Sequence, residues 1–312
     1  MKNLKNLIPI VLLLMASTMF LNAQLYVSGG LGYGTSATPE PFGLTYDFAS
    51  QDVTNSYGNA GQGLRANTAL GYMFNENFGA ELGVYYFTSP EILVQDTVNA
   101  DKFYRTYTKA WHLRLTPALV FMAGNGKLTP YAKVGLCIPV AGIANARREA
   151  NDPGLVNPAF NIFLNEATGF NLNAEFKGQF SLGFESVAGV KYNLSDKLSL
   201  FGEAFFTALR IRRATSEVTR AVAVLPDGSE LDIRPILAVG GVYQFTDFVD
   251  EVNLIEVTDN MANAEESLFT FPNGTALPVD DYGSTPEKAH QLLASDGAYN
   301  AIGLNIGVRF NF

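Results

Sequence analysis

Apolar residues fall at every second position in eight stretches of the chain: 25–36, 63–74, 77–87, 103–122, 128–146, 176–194, 197–213 and 298–312. A period of two is the mark of a β-strand with one oily face. In the last stretch Leu304, Ile306, Val308, Phe310 and Phe312 alternate with Gly303, Asn305, Gly307, Arg309 and Asn311. The connections alternate too. Asn75-Glu76, residues 123–127 and Ser195-Asp196 are short and rich in turn formers, whereas 37–62, 88–102, 147–175 and 214–297 are long. Strict short–long alternation predicts an up-and-down antiparallel barrel of eight strands with all tight turns at one end.

Alternation alone does not say which phase faces inward. The polar phase carries charges of both signs: Arg65, Arg114, Lys133, Lys191 and Arg309, with Glu81, Glu185 and Glu203. The apolar phase carries aromatics at two levels. Tyr72, Phe74, Phe78, Phe121 and Tyr192 fall beside the short turns, and Tyr86 and Trp111 lie about ten residues away, the ~9–11 residues that a tilted strand needs to cross a bilayer. Two aromatic girdles framing Leu, Val, Ile and Ala are a bilayer signature. The predicted fold class is therefore an all-β transmembrane barrel with a polar lumen, and the eight lumen charges are expected to pair, because an unpaired buried charge is costly. Pro117 inside the fourth stretch removes a ladder donor and is expected to mark a bulge.

Composition supports an envelope protein. Residues 1–23 combine Lys2 and Lys5 with an apolar run and Ala23 at the cleavage position, which reads as a signal peptide and leaves 24–312 as the barrel. Cys137 is the only cysteine, so no intrachain disulfide forms and no lipoprotein anchor is expected. Charged residues make up 16% of the chain and the net charge is −9, which argues against nucleic acid. The negative charge is concentrated. Residues 221–297 hold 14 Asp and Glu against Arg234 and Lys288. This acidic loop is expected to be partly folded, with a hairpin around Pro226-Asp227-Gly228, a short helix over 261–269 and a helix over 284–295 started by Ser284 or Thr285 and Pro286. A transmembrane strand over 231–245 is the alternative, which would need a further partner to keep the count even. Asp247, Asp250 and Glu251, or Asp280 and Asp281, could hold a divalent cation, but a solvated acidic surface is the favoured reading, so neither metal nor cofactor is expected.

The C-terminus adds a motif. Asn305, Gly307, Phe310 and Phe312 fit polar-x-Gly-x-x-aromatic-x-aromatic, which resembles the signal by which the barrel-assembly machinery receives its substrates. With that motif the chain resembles the small eight-stranded outer-membrane barrels, of the layout of the OmpA transmembrane domain and OmpX. It departs from the OmpA pattern in that no domain is expected after the last strand, and its loops are longer. The resemblance implies a monomer in the outer membrane, in contact with its lipid, with extracellular loops on the long-loop side. It implies a non-enzymatic binding or envelope-structural role, toward a ligand that the residues do not name. A narrow porin-like channel and a lipid-modifying enzyme are the alternatives. For the enzyme, His112 with nearby Thr108 or a Glu residue would be the dyad, and His290 lies in the last loop; HExxH, GxSxG, P-loop and CxxC patterns are absent.

Overall fold

A computed structural model describes residues 24–312 apart from 39, 48, 125, 156–166, 236, 238–243, 251–267, 271–275, 279–288 and 294–295. The expected signal peptide over 1–23 lies outside the described residues.

Eight strands form the barrel: β1 (Gln24–Ser36), β2 (Gly63–Met73), β3 (Phe78–Thr88), β4 (Lys102–Met122), β5 (Leu128–Ala150), β6 (Gly183–Asn193), β7 (Leu198–Ala208) and β8 (Ala301–Asn311). Each pairs antiparallel with its neighbours in sequence, and β1 also pairs with β8, so that Tyr33 stands opposite Leu64 on one side and Leu304 on the other. The first strand thus meets the last and the sheet closes on itself. The short turns close themselves with side chains. Asn75 Oδ1 accepts the backbone N–H groups of Asn77 and Phe78 at 2.9 and 2.8 Å, and Ser195 Oγ accepts that of Leu198 at 3.1 Å.

The two phases separate by exposure. Along β8, Leu304 and Ile306 are 69% and 70% exposed, while Asn305 between them is 1% exposed. Leu31, Leu70, Leu82, Leu119, Leu136 and Val190 continue the exposed apolar surface from strand to strand. A soluble protein does not carry such a continuous belt. In a bilayer a closed barrel is the only sheet that leaves no backbone group unsatisfied.

At the long-loop end the sheet continues. Residues Glu40–Asp47 and Asp52–Gly58 form a hairpin, and Ile92–Asn99 pairs with the top of β4 while running parallel to Leu44–Asp47. Strand Gly169–Gly178 is hydrogen-bonded between the top of β5 and Arg210–Val224, the continuation of β7. These added strands account for the 21 and 23 residues of β4 and β5, more than a bilayer crossing needs. Phe170, Leu172, Val218, Ala221, Ala223, Ile233 and Leu237 bury a small apolar core there. The hairpin at Pro226-Asp227-Gly228 forms, pairing Val222 with Asp232, with Gly228 at φ 81°.

Three expectations change. The sixth stretch is not continuous over 176–194: the chain leaves the sheet at 179–182. Its apolar alternation runs unbroken through Phe180 and Leu182, so the pattern could not show the break; the Gln179 amide is instead tied to the carbonyl of Phe248 at 3.3 Å. The bulge is not at Pro117. The β4–β5 ladder is interrupted at Thr116 and Pro117 and resumes in the same register, because one missing N–H costs one bond and no shift. The register slips at Val140 on β5, between Leu113–Ala141 and Arg114–Pro139. Neither expected helix survives where it is described. Leu268–Thr270 pairs with Ala276–Pro278, and His290–Leu293 runs parallel to Phe245–Val249. Strand partners override a weak local helix preference; 261–267, 284–288 and 294–295 lie outside the described residues.

Candidate functional site

The lumen is where the polar phase of every strand converges. Glu185 on β6 is 2% exposed and accepts hydrogen bonds from both terminal nitrogens of Arg65 on β2, at 2.7 and 3.0 Å. It also pairs with Arg114 on β4 and accepts a 3.0 Å hydrogen bond from Thr207 on β7. Lower in the lumen Lys133 on β5 bridges two carboxylates, Glu81 at 2.9 Å and Glu203 at 2.8 Å. The structure thus brings Arg65, Arg114 and Glu185 into one cluster and Glu81, Lys133 and Glu203 into another. Lys191 and Arg309, both buried toward the short-turn end, have no carboxylate partner among the described residues. Arg309 lies instead on the face of Tyr26, 3.4 Å from its ring centre, and donates to Asn311 at 2.9 Å.

Aromatic residues complete both clusters. Tyr26 donates to Glu81 and Tyr131 to Glu203, each at 2.8 Å, and Asn305 donates to Glu203 at 2.8 Å. Arg65 is held between the rings of Tyr85 and Phe205, at 4.1 and 4.2 Å. The charge pattern by itself does not single out Tyr26, Tyr85, Tyr131 and Phe205. The signal was present, since Tyr85 shares the phase of Glu81 and Tyr131 that of Lys133. Glycines give the rings room: a Cβ on Gly71 would strike the ring of Tyr26. In the terminal motif a Cβ on Gly307 would come within 2.5 Å of the Phe201 ring. Asn305 and Gly307 therefore have packing roles in the lumen in addition to any part in assembly. Beside Lys133, Tyr26, Tyr131 and Arg309 the free space is about 10 Å³, room for about one water.

The outward aromatics meet in pairs. Near the short turns, Tyr72, Phe74, Phe78 and Phe121 form a chain of ring contacts with centroids 5.3–5.5 Å apart. Phe310 and Phe312 make another at 5.3 Å, and Tyr192 carries Lys127 over its ring at 5.5 Å. Toward the long loops Tyr86 stacks on Trp111 at 6.1 Å.

The structure does not assemble the His112–Thr108 dyad. Thr108 donates to the Asn145 carbonyl at 3.2 Å, and His112 is packed against the rings of Phe87 and Tyr299. Of the acids weighed as cation ligands, Asp250 pairs with Arg212, and Glu251, Asp280 and Asp281 lie outside the described residues. Among the described residues no three His, Cys, Asp or Glu side chains cluster around a point that could hold a metal ion. Outside the membrane span, Lys102 pairs with Asp152, and that hydrogen bond holds the Asp152 carboxyl below its usual range.

Neither a protein-family model nor a curated protein matches the sequence. Among solved structures the chain is similar to Neisserial surface protein A, at 9% identity and a TM-score of 0.34, covering 93% of this chain and 99% of that one. It is also similar to the outer membrane protein OprG from Pseudomonas aeruginosa, at 11% identity and 0.39, covering 93% and 96%. A major outer membrane protein from Thermus thermophilus matches at 11% and 0.36, covering 93% and 99%. These likenesses are too distant to carry the fold, which stands on the closed ladder. With its polar lumen, packed tight around Lys133, and its continuous lipid-facing belt, the chain is an eight-stranded outer-membrane β-barrel.

Proposed function

We propose that the protein is a non-conducting, non-enzymatic outer-membrane barrel whose work is done by the β-structure above its long-loop end, as a surface-exposed binding or envelope-supporting protein. The observation that carries this reading is the contrast between the two halves. Buried ion pairs and tyrosines occupy the lumen, leaving about 10 Å³ beside Lys133, while five of the chain's connecting strands pair into a sheet with its own apolar core beyond the membrane belt. An open channel needs the reverse, a wide lumen. The acidic excess over 221–297 favours a cationic or cation-bridged partner for that surface. Planar-bilayer recording of the refolded full chain tests the first half of the reading. No stable current steps are expected, and sustained single-channel conductance would move the function to transport.

A further inference from the structure

The wall of the barrel is breached beside β5. β5 pairs with β6 up to Cys137–Gly183, and with the upper strand from Ala144–Phe176 onward. Among the described residues, 138–143 have no ladder partner on that side, because the chain bows out of the sheet at 179–182. Six residues of open strand edge correspond to about 20 Å at ~3.3 Å per residue. Behind the breach lies a cavity of about 660 Å³, within the ~300–1,000 Å³ of ordinary small-molecule sites.

The two sides of this cavity differ in chemistry. Its outer lip is oily: Phe180 is 79% exposed and Val140 across the gap 51%. They continue the lipid-facing belt at the level of Trp111. The rest of its lining is basic. Arg148 and Arg213 line it from the inward phase and Lys177 and Arg212 from the other, and no Asp or Glu lines it among the described residues. Arg212 is engaged by Asp250, but Arg148, Lys177 and Arg213 have no carboxylate partner among the described residues. Three polar side chains at the cavity have buried atoms with nothing to bond among the described residues. His112 is 3% exposed and neither ring nitrogen has a partner, and the Arg148 Nε–H and the Thr106 hydroxyl are likewise unmet. Buried polar groups left without partners cost stability, so a ligand that met them would recover that cost.

The geometry points to a binding site for a single-chain anionic amphiphile that enters from the membrane through the gap at 138–143 and 179–182. Its carboxylate or phosphate sits between Arg148 and Arg213, with His112 in hydrogen-bonding reach of the occupant. Its acyl chain leaves over Phe180 and Val140 into the belt. The bidentate fork of a guanidinium fits either anion. This inference uses the membrane placement of the barrel but not the surface-binding role, so the failure of one does not entail the failure of the other.

Trp111 is the only tryptophan and lines the cavity, which gives a direct probe. The full chain, in a non-ionic detergent, is titrated with a brominated long-chain fatty acid that quenches Trp111. A saturable phase with one site per barrel is expected, displaced by unlabelled palmitate and by a monoacyl phosphate. Displacement by a zwitterionic lysolipid, or by hexanoate, is expected to be at least tenfold weaker. Arg148→Gln and Arg213→Gln should each weaken the saturable phase about tenfold in protein that keeps its heat-modifiable folded band. Equal displacement by the zwitterionic lysolipid would show a merely greasy gap, and equal displacement by hexanoate a soluble-anion site; either overturns the proposal, as does quenching that never saturates. The displacement series needs only the unaltered protein, so it decides the question even where a variant fails to fold.

Discussion

Glu185 is the residue on which most of the upper lumen depends, and Glu185→Gln tests that dependence. One carboxylate neutralises two guanidiniums, so the change strands both Arg65 and Arg114 in a space where each is less than 5% exposed. Removing one partner of a buried pair costs ~3–5 kcal/mol. The two arginines are not equally stranded. Arg65 keeps two aromatic faces at 4.1 and 4.2 Å, each a contact of ~0.5–2 kcal/mol. Arg114 keeps a 3.4 Å bond to Thr207 and a more distant ring, Tyr85 at 5.3 Å. The uncompensated charge is therefore mainly that of Arg114. Glu185→Gln should lose about 3 kcal/mol, and adding Arg114→Met should recover most of it, whereas adding Arg65→Met should recover less because it also discards the stacking. Urea unfolding of the barrel in lipid vesicles, followed by the heat-modifiable band, measures this. With a slope of ~2 kcal/mol/M, a loss of ~3 kcal/mol moves the midpoint by ~1.5 M. A single variant within ~0.5 M of the parent, or double variants no better than the single, would refute the account of the lumen as paired charge.

Other substitutions probe other parts of the fold. Gly307→Val should prevent or greatly slow folding, since the new side chain meets the Phe201 ring and the Gly29 carbonyl; a folded band at parental yield would count against the packing role. Phe312→Ala, or deletion of Phe310–Phe312, should slow insertion and leave protein in the periplasm, and unchanged outer-membrane levels of folded barrel in a pulse-chase would count against the terminal signal. Native Cys137 is fully buried, so a maleimide reads introduced cysteines alone. Asp227→Cys should label on intact cells and Glu76→Cys only after permeabilisation, and the opposite pattern would invert the topology.

Much of this architecture is written in the sequence because a barrel in a bilayer is a local code. A strand one residue out of phase would put Arg65 or Glu185 into lipid, so alternation fixes the face of each strand. The short turns Asn75-Glu76 and Ser195-Asp196 fix the order of the strands, and together they make the eight-stranded wall and its inward charges legible. Which charges meet is a different matter. Arg65 and Glu185 are 120 residues apart, and they touch only because the stagger of a closed sheet brings β2 and β6 to one level across the lumen. Alternation likewise says nothing of whether a strand stays in the sheet. Phe180 and Leu182 keep their phase while the chain leaves the wall, since what decides the matter is the set of partners offered by Phe248, Arg212 and the bulge at Val140. The same holds for His290–Leu293, where a neighbouring strand at Phe245–Val249 supplied the backbone partners that a helix would have made for itself. Local pattern sets the orientation of a residue, but long-range pairing decides its neighbours, and the breach in the wall is a product of the second alone.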